Sequence, residues 1–195
     1  TQCTYWIDAI VFREILQPKI EECTHQALHR AIGLYQDDLL DGFYVRDAEV
    51  FDEWLVAERE QLRVLVRHAM HQLVAYYFET GSWNEGIQLT QRLLTMENWD
   101  EAAHRQQMRL LAASGQRGAA LIQYERCCQI LRKEFDVESS AETQALYHTI
   151  QAGELSIHPP SILQANSSRN HEPHDFSPQD NTQRAQVIER EARVL

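Results

Sequence analysis

From Phe12 to Ile150, apolar residues recur at spacings of three and four, which predicts helices and little else. Leu62, Leu65, Ala69, Leu73 and Tyr76 stripe one long helix, from about Val50 to Phe78, which Gly81 stops. Trp83, Ile87, Thr90 and Leu94 stripe the next. A third helix is expected to start near Asp100 and end at Gly115, and a fourth carries Leu121, Tyr124, Cys128 and Leu131. A last one holds Leu146 and Ile150. Upstream, Leu28, Ile32 and Tyr35 mark a helix from roughly Glu21 to Tyr35. Phe12, Ile15 and Leu16 mark an earlier one, opened by Asp8 and ended by Pro18. Ser82-Trp83-Asn84-Glu85 and Ser139-Ser140-Ala141-Glu142 both read as capping boxes, in which hydroxyl and carboxylate satisfy each other's backbone amides. The exception is Thr4-Tyr5-Trp6-Ile7-Asp8, β-branched and aromatic, which reads as a short strand. A strand with no partner nearby, in a chain opening on Thr1, predicts a fragment whose sheet lies upstream.

The helices repeat. Gly81 and Gly115 lie 34 residues apart, the tetratricopeptide period. Gly86 then matches Ala120, Ile87 matches Leu121, Leu94 matches Cys128, and Val74 matches Met108. Helix pairs of this length cannot bury both faces alone, so neighbouring pairs are expected to stack. Two departures stand out: Asn98 occupies a position usually held by proline, and Arg117 replaces an aromatic where Trp83 sits. The expected fold is all-α, a tetratricopeptide-like stack of antiparallel helix pairs over residues 9–152, with residues 1–8 a residual strand. Beyond Gly153 come Pro159, Pro160, Pro173 and Pro178 among Ser, Asn, Gln and His. Residues 153–182 therefore read as a disordered linker. Residues 183–195 turn helix-permissive again, as a short helix or the start of another domain.

Charge narrows the partner. The formal net charge is −11, and such a surface repels phosphates unless a local basic patch intervenes. The default partner is a protein. Acids crowd the stretch from Asp37 to Glu60, against Arg46 and Arg59 alone. Most read as a solvated face, with a docking surface for a basic partner as the functional alternative. No run is long and apolar enough to span a bilayer, and no signal-peptide pattern is present. The four cysteines, Cys3, Cys23, Cys127 and Cys128, form no C-x-x-C pair, which fits a reducing cytoplasm.

Several blocks resemble one family, the bacterial transcriptional activator domain. The most specific are Gly115-Gln116-Arg117, Ala119-Ala120-Leu121, Gln123-Tyr124-Glu125-Arg126-Cys127, Leu131-Arg132-Lys133-Glu134, Val137-Glu138 and Glu142-Thr143-Gln144-Ala145-Leu146-Tyr147. Leu34-Tyr35-Gln36-Asp37-Asp38-Leu39-Leu40-Asp41-Gly42-Phe43, Phe51-Asp52-Glu53-Trp54-Leu55 and Glu58-Arg59-Glu60-Gln61-Leu62-Arg63 add to it. The resemblance spans roughly Tyr5 to Gln151. It implies a segment of a transcriptional regulator of the antibiotic regulatory or signalling-ATPase type. A winged-helix DNA-binding domain would precede it, with Tyr5-Trp6-Ile7-Asp8 as that domain's last strand. Prolines common in the family before the last helix are replaced here by Ser139 and Ala141.

No constellation predicts an enzyme or a cofactor. There is no G-x-S-x-G, no H-E-x-x-H and no G-x-x-x-x-G-K-[ST] phosphate loop. His25 and His29 share a helix face, but Cys23 sits about 200° away from His25, so a metal site is not expected. Cys127 and Cys128 read as small hydrophobes, with Cys128 on the core stripe. The expected site is a groove lined by the first helix of each pair. It presents His68, His71, Ala75, Phe78 and Glu79, then Ala102, Arg105, Arg109, Ala112 and Ala113. This mildly basic lining with one aromatic anchor suits an acidic peptide or helix. The alternative is a groove filled by the protein's own helices. The function read from all this is a protein-interaction and signal-relay segment of a regulator, meeting DNA only through the upstream domain. The runners-up are a free-standing tetratricopeptide adaptor and the regulatory part of a signalling ATPase.

Overall fold

The computed structural model describes residues 8–16 and 19–155. The expected strand at 1–8, apart from Asp8, and the expected linker and tail beyond Leu155 lie outside them. Seven α-helices appear among the described residues and no strand: α1 (Asp8–Leu16), α2 (His25–Leu34), α3 (Glu49–Thr80), α4 (Trp83–Met96), α5 (Glu101–Ala113), α6 (Arg117–Phe135) and α7 (Ala141–Ala152). No described helix is long and apolar enough to cross a membrane.

Each helix packs on the next, and α1 also touches α3, α3 touches α5, and α5 touches α7. The odd-numbered helices therefore form one continuous side, with α2, α4 and α6 filling in beside them. The 34-residue interval recurs in the helix starts: α4 begins at Trp83 and α6 at Arg117. Gly81 and Gly115 both take left-handed backbone angles (φ 76° and 81°), the conformation that lets a chain leave a helix without a Cβ clash. Three of the four matched pairs share burial (Val74 and Met108, Gly86 and Ala120, Leu94 and Cys128), whereas Ile87 is buried and its match Leu121 half-buried. A Cβ on Gly86 would come within 2.8 Å of the Leu110 side chain in α5, so any larger residue there must displace a buried leucine methyl.

α3 is buried on a broader face than one stripe predicts. Val66, Met70 and Val74 join Leu62, Ala69 and Leu73 in the core, because this helix is covered by α2 on one side and α4 on the other. The stripe on α6 shifts by one residue. Ala120, Gln123, Cys127 and Leu131 are buried, while Leu121, Tyr124 and Cys128 are half-buried. Cys127, not Cys128, is the core cysteine. The small side chains let α6 approach α5. Tyr124 instead stacks on Tyr147 of α7 with ring centroids 4.3 Å apart.

Three helix starts differ from expectation. The helix expected from Glu21 breaks into a 3-10 turn (Ile20–Glu22) and α2, because Thr24 caps α2, its hydroxyl accepting the Ala27 N–H at 3.2 Å. Ser82 precedes α4 but makes no side-chain cap. At α7 the cap is Ser140, one residue beyond the expected one; its hydroxyl accepts the Thr143 N–H. The reciprocal half of a capping box comes from α5. The Glu101 carboxylate accepts the Ser140 N–H at 2.7 Å and its O–H at 2.8 Å.

Candidate functional site

The expected groove residues lie on helices α3 and α5, and two of them, His71 and Arg105, tie helices of the stack together. His68 is exposed, with Nε2 3.2 Å from the Glu21 carboxylate. His71, half-buried, bridges α3 to α5. Arg105 reaches from α5 to α7, donating to the Thr143 hydroxyl at 3.1 Å and pairing with Glu142 at 3.4 Å. Ala75 is exposed, Ala102 and Ala112 are half-buried, and Ala113 is buried. Phe78 is half-buried and Glu79 exposed, near the α3 C-terminus. Arg109 is exposed and makes no ion pair or hydrogen bond among the described residues. It follows Arg105 by four positions, so the two share a helix face. The expected basic groove is thus partly filled by this protein's own side chains.

His71 is the most tightly specified residue of the face. Its Nδ1 is 2.7 Å from the Gln106 side-chain amide oxygen Oε1, and its Nε2 is 2.8 Å from the Asp100 carboxylate. The Gln106 amide nitrogen donates to the His71 backbone carbonyl at 3.1 Å, which fixes the amide so that its oxygen meets the ring. Both ring nitrogens face acceptors, and only the imidazolium can donate from both. Burial pushes the His71 pKa down, but the Asp100 hydrogen bond and charge, with Gln106, outweigh it and leave it raised. Burial likewise pushes Asp100 up, and His71 together with the Ala103 N–H brings it below the usual carboxylate range.

His104 shows the opposite arrangement. Its Nε2 is 2.9 Å from the Asn98 carbonyl and must donate, while its Nδ1 faces the Gln123 amide nitrogen at 2.7 Å and must accept. That ring is neutral. Burial lowers its pKa, and nearby Arg126 adds to the effect.

The remaining candidates are structural. The Cys23 thiol lies 3.6 Å from the Ile15 carbonyl, and the His25 ring stacks on Tyr76. No group of three metal-ligating side chains converges among the described residues. Burial pushes the Cys127 thiol up to about 12, which keeps it protonated. The groove expected from sequence leaves out Asp100, Gln106 and Glu101, the partners that fix His71 and the start of α7. Asp100 carries a legible signal as a helix cap, since it accepts the Ala103 N–H at 3.0 Å. Its second role depends on a residue 29 positions away.

No curated protein and no solved structure is significantly similar to the chain. The family described as the bacterial transcriptional activator domain matches residues 13–151, which takes in all seven helices apart from the two ends. Fold and match agree that the chain belongs to the bacterial transcriptional activator domain family, a family of transcription regulators and not of enzymes.

Proposed function

We propose that this chain is the protein-interaction and signal-relay segment of a bacterial transcriptional regulator, its helix pairs stacked as in tetratricopeptide arrays. In this reading a winged-helix domain outside the chain supplies DNA contact, and the helical stack receives a protein partner. The supporting observation is the state of the odd-numbered face. His71 and Arg105 are engaged between helices, whereas exposed Arg109 remains to offer a cation and Phe78, packed against the core, still leaves part of its ring outward. That pair suits an acidic amphipathic helix, with carboxylates on the guanidinium and an apolar residue on the ring.

Titration with a synthetic Glu/Leu amphipathic helix tests this. Arg109→Glu combined with Phe78→Ala should weaken binding by about tenfold or more, roughly 1.4 kcal/mol. Arg105 is left intact, because altering it would also loosen α7. Undiminished binding in a folded double variant sinks the assignment.

A further inference from the structure

A second surface lies at the other end of α3, and its chemistry is opposite. Four large side chains around the start of this helix are exposed: Phe43 by 53%, Tyr44 by 75%, Val50 by 82% and Trp54 by 49%. Phe43 meets Phe51 edge-on at 6.1 Å, and Phe51 leans on Trp54 at 5.6 Å. The rings thus form one continuous cluster, beside an open hollow lined by Asp47, Glu49, Val50, Phe51 and Trp54. Clusters of exposed aromatics on this scale mark contact surfaces more often than chance exposure.

The charges around it define what fits. Some acids of the Asp37–Glu60 run are accounted for inside the protein. Asp38 accepts from Arg63 and from the Tyr35 hydroxyl, and Glu58 pairs with Arg13. Glu49 and Asp52 stand in the first turn of α3, where they answer the helix dipole. Asp47 and Glu53 do neither: both are exposed and without an ion pair or hydrogen bond among the described residues. Arg59 donates from Nε to the Leu39 carbonyl and from Nη2 to the Leu40 carbonyl, both at 2.8 Å, which fixes the loop that carries Phe43. Arg46 is then the one local cation with no such engagement among the described residues. Aromatic faces flanked by carboxylates are a setting for guanidinium and ammonium groups, held by the ring quadrupole and by charge.

We infer that this aromatic and acidic end of α3 docks a basic amphipathic segment of a partner protein, its arginines or lysines among the carboxylates and its aliphatic residues on Trp54 and Val50. A second copy of this chain fits worse. A two-fold contact would set the same carboxylates against themselves, on a protein of net charge −11.

The probe is an 18-residue Arg/Leu amphipathic peptide, titrated into the full chain and followed by amide chemical shifts and affinity. Perturbed amides should cluster at residues 43–54. Trp54→Ala should weaken binding about tenfold, as should Asp47→Asn combined with Glu53→Gln. Asn tolerates the left-handed angle of Asp47 (φ 57°), so the second variant keeps the loop. Trp99→Ala, which removes an exposed tryptophan elsewhere, should change nothing. The inference is overturned if shifts spread over the whole acidic surface, or if Trp54→Ala binds as tightly as the parent. It is equally overturned if Trp54→Ala instead abolishes self-association, which would assign the surface to a second copy. The site is separate from the Arg109 face, so either can fail without the other.

Discussion

Two histidines, His71 on α3 and His104 on α5, are both buried enough to disfavour charge, and their hydrogen-bond partners push them in opposite directions. His71 donates from both nitrogens, so its folded pKa lies above the unfolded value and its stabilisation is present in full below about pH 6.5. That contribution is lost as pH rises through the raised value. His104 is neutral with a lowered pKa, so its contribution is present above about pH 6.5 and lost as pH falls below it. The two slopes oppose each other. His71→Gln should cost about 1–2 kcal/mol near pH 6, where the charged pair with Asp100 is intact. The variant should also flatten the decline on the alkaline side, measured by urea unfolding between pH 5 and 9. A decline as steep as the parent's would show that His71 is not the titrating group. None of this is legible from the residues in order. A histidine at a helix position says nothing about which acceptors meet its two nitrogens, and both of them come from elsewhere in the chain.

At the scale of the element, the three- and four-residue period places all seven helices, because burial of a stripe is a local property of sequence. The starts are less legible. Thr24 is a recognisable cap, yet Glu21, Glu22 and Cys23 before it carry no glycine or proline, so nothing in the residue order marks the break. Ser140 displaces Ser139 because Glu101, on another helix, supplies the second half of the cap. The buried face of α6 lies one residue off the apolar stripe, since two neighbours, α5 and α7, divide it between them. Glycines separate these influences by experiment. A methyl group added at Gly33 or Gly118 would meet nothing within 4 Å, so alanine at either should stabilise by roughly 0.5–1 kcal/mol through backbone entropy. Gly86→Val should cost about 1–3 kcal/mol, because its side chain would press on the fully buried Leu110 and force that leucine to shift. Thermal unfolding of the three variants gives the comparison, and a stable Gly86→Val protein would contradict the close approach of α4 to α5.

Among the described residues the last helix of the stack is α7, which is attached through Glu101 and Arg105 as much as through Leu146 and Ile150. Arg105→Ala should cost about 1–2 kcal/mol. Its effect should be local, with hydrogen exchange rising first in α7 amides while α3 and α4 stay protected. Uniform loss of protection would mean that the stack unfolds as one unit. The family and the all-helical fold are readable at this scale from the ordered blocks of sequence. The balance between internal and outward-facing charge is not, because it depends on which side chains find one another across the stack.

α3 runs for 32 residues, a rod of about 48 Å. One end carries the aromatic and acidic cluster, and the other is clamped between α2, α4 and α5. Such a rod is a lever with its fulcrum in the core. A tilt of about 5° around His71 moves Trp54, about 26 Å away along the helix, by roughly 2 Å, so a partner gripping Trp54 would apply torque to His71 and its bridge to α5 without touching either.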